Sequence, residues 1–102
     1  MAEEQAALEI TIKDRKTTVR LADLTGRDVK DFRGEVGFTP MHAFRNPDAM
    51  DIDVIAAFVW IERRKLKPTL TYDDILDGIT YDNVKVSQTD GGDGGDEDDP
   101  EA

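Results

Sequence analysis

An α+β domain followed by a charged tail is predicted from three observations. Residues 8–21 alternate apolar and polar side chains, residues 25–78 carry repeated helix-start and helix-stop signals, and residues 87–102 hold no apolar side chain before Ala102. The alternation predicts an N-terminal β-hairpin over about 8–21. The start and stop signals predict a small bundle of three to four helices for the hairpin to pack on. The expected boundaries are a flexible N-terminus over 1–7, a single folded domain over 8–86 and a disordered acidic tail over 87–102.

In the hairpin, Leu8, Ile10 and Ile12 alternate with Glu9, Thr11 and Lys13, which places three aliphatic side chains on one face of a strand. Asp14-Arg15-Lys16 supplies the turn, and Thr17, Val19 and Leu21 repeat the pattern against Thr18 and Arg20. An isolated hairpin is marginal in water, so its apolar face requires helices beneath it.

Thr25 with Asp28 three residues later marks the start of a helix over about 26–35, with Val29, Phe32 and Val36 as its apolar stripe and Gly37 as its stop. Thr39-Pro40 opens a short helix carrying Met41 and Phe44, which Pro47 ends. The strongest helical pattern runs over about 48–65. Asp48, Asp51 and Asp53 lie near its start and Arg63-Arg64-Lys65 near its end, a charge order that complements the helix dipole. Ile52, Ile55, Ala56, Val59 and Leu66 follow helical spacing, and Val54, Ala57, Phe58, Trp60 and Ile61 widen the stripe around most of the circumference. Such a helix is either the centre of the core or half of an interface. Beyond Pro68, Thr71 with Asp74 predicts a short helix through Ile75 and Leu76 that Gly78 closes, and Ile79, Tyr81 and Val84 follow as candidates to pack back on the body.

The length of 102 residues allows one domain with one modest core, and the absence of cysteine removes disulfides and thiolate metal sites. Met1-Ala2-Glu3-Glu4-Gln5 is acidic with no apolar stretch after it, and the longest apolar run, residues 54–61, is far below the ~20 residues of a membrane span. The pattern predicts neither secretion by a signal peptide nor membrane insertion. Of the net charge of −10, seven negative charges fall in residues 87–102, leaving −3 for the rest. Polyanionic partners, nucleic acid among them, are disfavoured by that charge.

Catalytic parts are missing from the sequence. His42 is the single histidine, with no cysteine or glycine-framed serine nearby from which to build a zinc site or a triad. Paired carboxylates such as Asp51/Asp53 and Asp73/Asp74 sit at helix starts, where acids stabilise the dipole. Gly91-Gly92-Asp93-Gly94-Gly95-Asp96 matches one copy of a calcium β-roll repeat, but a roll needs several stacked copies, and Asp98 stands where the repeat requires an apolar residue. No EF-hand loop is present. The chain therefore reads as a non-enzymatic interaction protein with no cofactor or metal. Its candidate contact residues are Phe58, Trp60 and Ile61 on an apolar helix face, with Arg63 and Arg64 beside them as cations for the acidic tail or an acidic partner.

The segment Asp51-Ile52-Asp53-Val54-Ile55-Ala56-Ala57-Phe58-Val59-Trp60-Ile61-Glu62-Arg63-Arg64, followed by Thr71-Tyr72-Asp73-Asp74-Ile75-Leu76, resembles bacteriophage tail assembly chaperones of the long-tailed actinobacteriophage type. Asp28-Val29-Lys30-Asp31-Phe32-Arg33 and Gly37-Phe38-Thr39-Pro40-Met41 look like the segments that precede it in those proteins, so the resemblance covers about residues 8–80. It implies binding to the tape measure protein and the tail tube subunit, action in the host cytoplasm, and absence from the mature virion. It also implies a programmed frameshift near the end of the shorter product. The codons for Gly91-Gly92-Asp93 or Gly94-Gly95-Asp96 are expected to contain a G-rich slippery run, which the nucleotide sequence with its overlapping frame checks directly. The alternatives are a virion structural protein of the head-tail connector or tail, and an acidic regulatory protein or nucleic-acid mimic. Oligomeric state is not encoded in any pattern above.

Overall fold

The computed structural model describes residues 6–90. Of the flexible N-terminus expected over 1–7 and the disordered tail expected over 87–102, residues 1–5 and 91–102 lie outside the described residues. Within them the predicted α+β arrangement is present: β1 (Ala6–Ile12), β2 (Arg15–Arg20), α1 (Gly26–Val36), α2 (Pro40–Arg45), α3 (Ile52–Arg63), α4 (Tyr72–Leu76) and β3 (Val84–Asp90), with single 3₁₀ turns at Leu21–Asp23 and Pro47–Ala49.

β1 and β2 form the expected hairpin, in antiparallel register from Ala7 opposite Arg20 to Ile12 opposite Arg15. The connection is tighter than predicted, because Lys13 and Asp14 alone make the turn and Lys13 adopts a left-handed backbone with φ 58°. Leu8, Ile10 and Val19 are completely buried, with Ile12 and Thr17 nearly so, which is the face the alternation assigns to the core.

The sheet has a third strand that the sequence reading placed partly in the disordered tail. β3 pairs antiparallel with β1 from Ala6 opposite Asp90 to Ile12 opposite Val84, giving the order β2-β1-β3. Residues 87–90 therefore belong to the sheet, and the folded unit begins at Ala6 rather than residue 8. Two contacts anchor the new strand. The Lys13 N–H donates to the Asn83 carbonyl at 2.8 Å, just before β3, and the Gln88 side-chain amide donates to the Phe44 carbonyl at 3.0 Å. Upstream, Thr80 and Asn83 hold the lead-in turn, with the Thr80 N–H on Asn83 Oδ1 at 2.9 Å and the Asn83 amide on the Gly78 carbonyl at 3.0 Å.

The helices start where the capping rules place them. Thr25 and Asp28 form a reciprocal capping box, as do Thr71 and Asp74, and Thr39 accepts from the His42 N–H with Pro40 at the first helical position. Gly37 ends α1 in the left-handed conformation at φ 92°, a geometry glycine adopts without steric cost. α3 differs from expectation at both ends. Pro47–Ala49 makes its own 3₁₀ turn and Asp51 caps the helix, so Asp48 precedes it; Leu66 falls past its end and is 91% exposed rather than part of its stripe. Of the two apolar residues carried by α2, Met41 is exposed and Phe44 is buried.

α3 is the central core helix. Phe32 of α1 and Phe44 of α2 pack on Phe58 with ring centroids 4.6 and 5.5 Å away, the second edge-to-face. Ala56, Ala57, Phe58, Val59 and Ile61 are completely buried. The apolar circumference of this helix is satisfied inside the fold by the sheet on one side and by α1, α2 and α4 on the others.

Candidate functional site

The five residues singled out as contacts divide into two groups. Phe58 and Ile61 are 0% exposed and belong to the core, so they present no surface to a partner; this corrects their assignment as contact residues. The reason is coverage, since β2 of the sheet and the helices α1, α2 and α4 close around α3. Trp60, Arg63 and Arg64 remain partly exposed at the C-terminal end of the helix.

Trp60 is fixed from three sides. Its indole N–H donates to the Leu70 carbonyl at 3.1 Å, its ring lies 6.0 Å from that of Tyr72, and the Arg64 guanidinium sits 4.7 Å above it. Tyr72 is positioned by α4's capping box and by its hydroxyl, which donates to the Asp53 carbonyl at 2.8 Å. Trp60, Leu70 and Tyr72 line an open cleft of about 310 Å³, with Glu35 of α1 and Asp73 at its margin. Burial, together with the negative charges of Asp53, Glu35 and Asp73, pushes the Tyr72 phenol above its usual pKa. The cleft thus combines aromatic surface with negative potential, and Leu66 protrudes from the same α3–α4 connection.

Arg64 does not face a partner. It donates to Asp31 at 2.6 Å and to Asp28 at 2.9 Å, clamping α1 to the end of α3. Burial works to raise the Asp28 carboxyl, but the Arg64 hydrogen bond, the Thr25 backbone N–H and the Arg64 charge outweigh it and hold that carboxyl below its usual value. One buried acid therefore both caps α1 and receives the arginine. Asp28 and Asp31 lie three apart on α1, a spacing that puts them on one face; that spacing was the signal in the sequence for this clamp.

Arg63 points the other way, towards the hairpin. Its Nε donates to Thr17 Oγ1 at 2.9 Å, and Nη2 lies 3.5 Å from the Arg15 carbonyl. No carboxylate is within ion-pair distance of it among the described residues. Burial and the neighbouring Arg15 charge both lower its pKa. Lys65 pairs with Glu62 at 3.2 Å.

His42 is exposed on α2, with its ring 5.0 Å from that of Phe38. Among the described residues no three His, Cys, Asp or Glu side chains are grouped to hold a metal ion, and no helix is long and apolar enough to cross a membrane. No protein-family model, curated protein or solved structure matches the chain.

Proposed function

We propose that the chain is a phage tail assembly chaperone: a non-enzymatic protein of the host cytoplasm that binds the tape measure protein, assists polymerisation of tail tube subunits around it, and leaves before the virion is complete. The observation that carries this reading is that the segment bearing the resemblance, residues 51–76, also builds the Trp60–Tyr72 cleft. A long helical protein exposes apolar faces until its coat assembles. A small protein offering a partly exposed tryptophan, a tyrosine and flanking carboxylates fits such a face where apolar residues are interspersed with Lys or Arg. Contact through one cleft is modest in area, which suits a chaperone that must later be displaced. The tail's negative charge would keep many coated complexes apart by mutual repulsion.

Co-expression with the tape measure protein tests the reading. The wild-type chain is expected to co-purify with it, and Trp60→Asp to weaken the association by about 30-fold or more, the scale of an interface anchor. Glu35→Lys, an exposed change at the end of α1 where a cation suits the helix dipole, is expected to weaken binding while preserving the fold. Absence of association, together with unchanged tape measure solubility and tail yield in Trp60→Asp, overturns the reading. Recovery of the chain from purified particles by mass spectrometry favours a virion structural protein instead.

A further inference from the structure

A second cleft, of about 350 Å³, opens at the turn end of the hairpin, on the side of α3 that Arg63 faces. Ile12 and Ile75 give it apolar walls, and Lys13, Arg15 and Arg63 supply three cations. Asp14 and Asp74 also border it, but Asp74 is engaged by the Thr71 N–H at 3.0 Å in the capping box of α4. Arg63 is the unusual member. It is half-buried, fixed by Thr17 and the Arg15 carbonyl, and without a carboxylate partner among the described residues. A guanidinium removed from water without a counter-charge is costly, and a carboxylate in the cleft would offset that cost.

We infer that this cleft receives carboxylates of the chain's own residues 91–102, which dock in cis on Arg63, Arg15 and Lys13. Charge supports the assignment, because Asp93, Asp96, Glu97, Asp98, Asp99 and Glu101 all fall in that segment. Length supports it as well. β3 ends at Asp90 beside Ala6, at the far end of the sheet from the Lys13 turn. Two strand spacings of about 4.8 Å and a strand length of about 20 Å separate the two ends. Twelve residues extend to about 40 Å, against a path of about 30 Å along the sheet, so Asp99 and Glu101 reach the cleft. Arg20, exposed at the end of β2, lies on the path along the edge of that strand. The proposal is independent of the chaperone reading and stands or falls separately.

The test compares ¹H–¹⁵N spectra of the full-length chain with those of a full-length variant in which Asp93, Asp96, Asp98 and Asp99 are changed to Asn and Glu97 and Glu101 to Gln. Docking in cis predicts displaced resonances for Thr17, Ile75, Gly78 and the Arg63 Nε–H, at the same positions across protein concentrations. Raising salt from about 0.1 M to 1 M, which shortens the screening length from about 10 to about 3 Å, should move the wild-type resonances to those of the neutralised variant. Arg63→Gln should abolish the difference between charged and neutralised tails; should that variant not fold, the double variant Lys13→Gln/Arg15→Gln should diminish it. Superimposable spectra overturn the proposal. Displacements that grow with protein concentration overturn docking in cis and assign the cleft to the tail of a second copy.

Discussion

Phe58→Ala is expected to remove about half of the domain's stability and to lower its thermal midpoint by about 12 °C or more. Phe58 is completely buried and holds the rings of Phe32 and Phe44 at 4.6 and 5.5 Å, so truncation removes the transfer energy of the side chain, two aromatic contacts and the packing of three helices around one point. Phenylalanine-to-alanine changes in such sites cost about 3–5 kcal/mol. A domain of this size has a total stability of about 5–10 kcal/mol, so about half of it is lost. Thermal unfolding by circular dichroism measures the effect. A shift in midpoint below about 10 °C, when each kcal/mol is worth about 4–8 °C in small domains, would mean that Phe58 is not the centre of the core.

The second large effect is expected at Asp28. Asp28→Ala removes the capping acceptor of α1, worth about 1 kcal/mol, and the charge-assisted bond from Arg64, worth about 1.5 kcal/mol or more. Asp28→Asn keeps an oxygen for the Thr25 N–H and should lose only the charged part, so the two variants separate cap from clamp. The pH dependence follows from the lowered Asp28 pKa. A carboxyl whose folded-state value lies below the unfolded 3.8 contributes stability that is fully present above 3.8 and is lost as pH falls through the folded value. Asp51 and Asp74 act in the same direction: the Tyr81 hydroxyl and the Ile52 N–H lower the first, and the Thr71 backbone N–H and hydroxyl lower the second. Chemical denaturation is expected to show unfolding free energy falling with acidification below pH 3.8, with a shallower fall in Asp28→Asn. Equal slopes in the two proteins would show that the Arg64–Asp28 pair does not couple to folding.

The features legible in the sequence are those determined within a few residues. Thr25/Asp28, Thr39-Pro40 and Thr71/Asp74 cap helices because hydroxyl and carboxylate reach backbone N–H groups one turn away, whatever the rest of the chain does. The hairpin was legible for the same reason, since period-two alternation specifies a buried face before its cover is known. β3 was not. Val84-Lys85-Val86 gives only three residues of alternation before Ser87-Gln88-Thr89, and those polar residues stay in the sheet because β1 offers them hydrogen bonds, an interaction between ends of the domain. The coverage of α3 was not legible either: the sequence pattern puts Phe58 and Ile61 on a contact face, and β2 with the surrounding helices closes that face. At the candidate site, Trp60 was legible as an aromatic on a crowded helix, but its indole bond to Leu70 and the opposite orientations of Arg63 and Arg64 depend on neighbours more than thirty residues distant in the case of both arginines.

The strand order β2-β1-β3 also bears on the timing of synthesis. β1 emerges from the ribosome first among the strands and finds β2 at once, but its other edge stays unpaired until residues 84–90 have been made and released. During translation the nascent domain therefore displays an open strand edge, a template for unwanted pairing between neighbouring nascent chains. Once β3 has closed that edge it becomes an outer strand of the sheet itself, and exposed Lys85 places a charge there that discourages pairing with another chain.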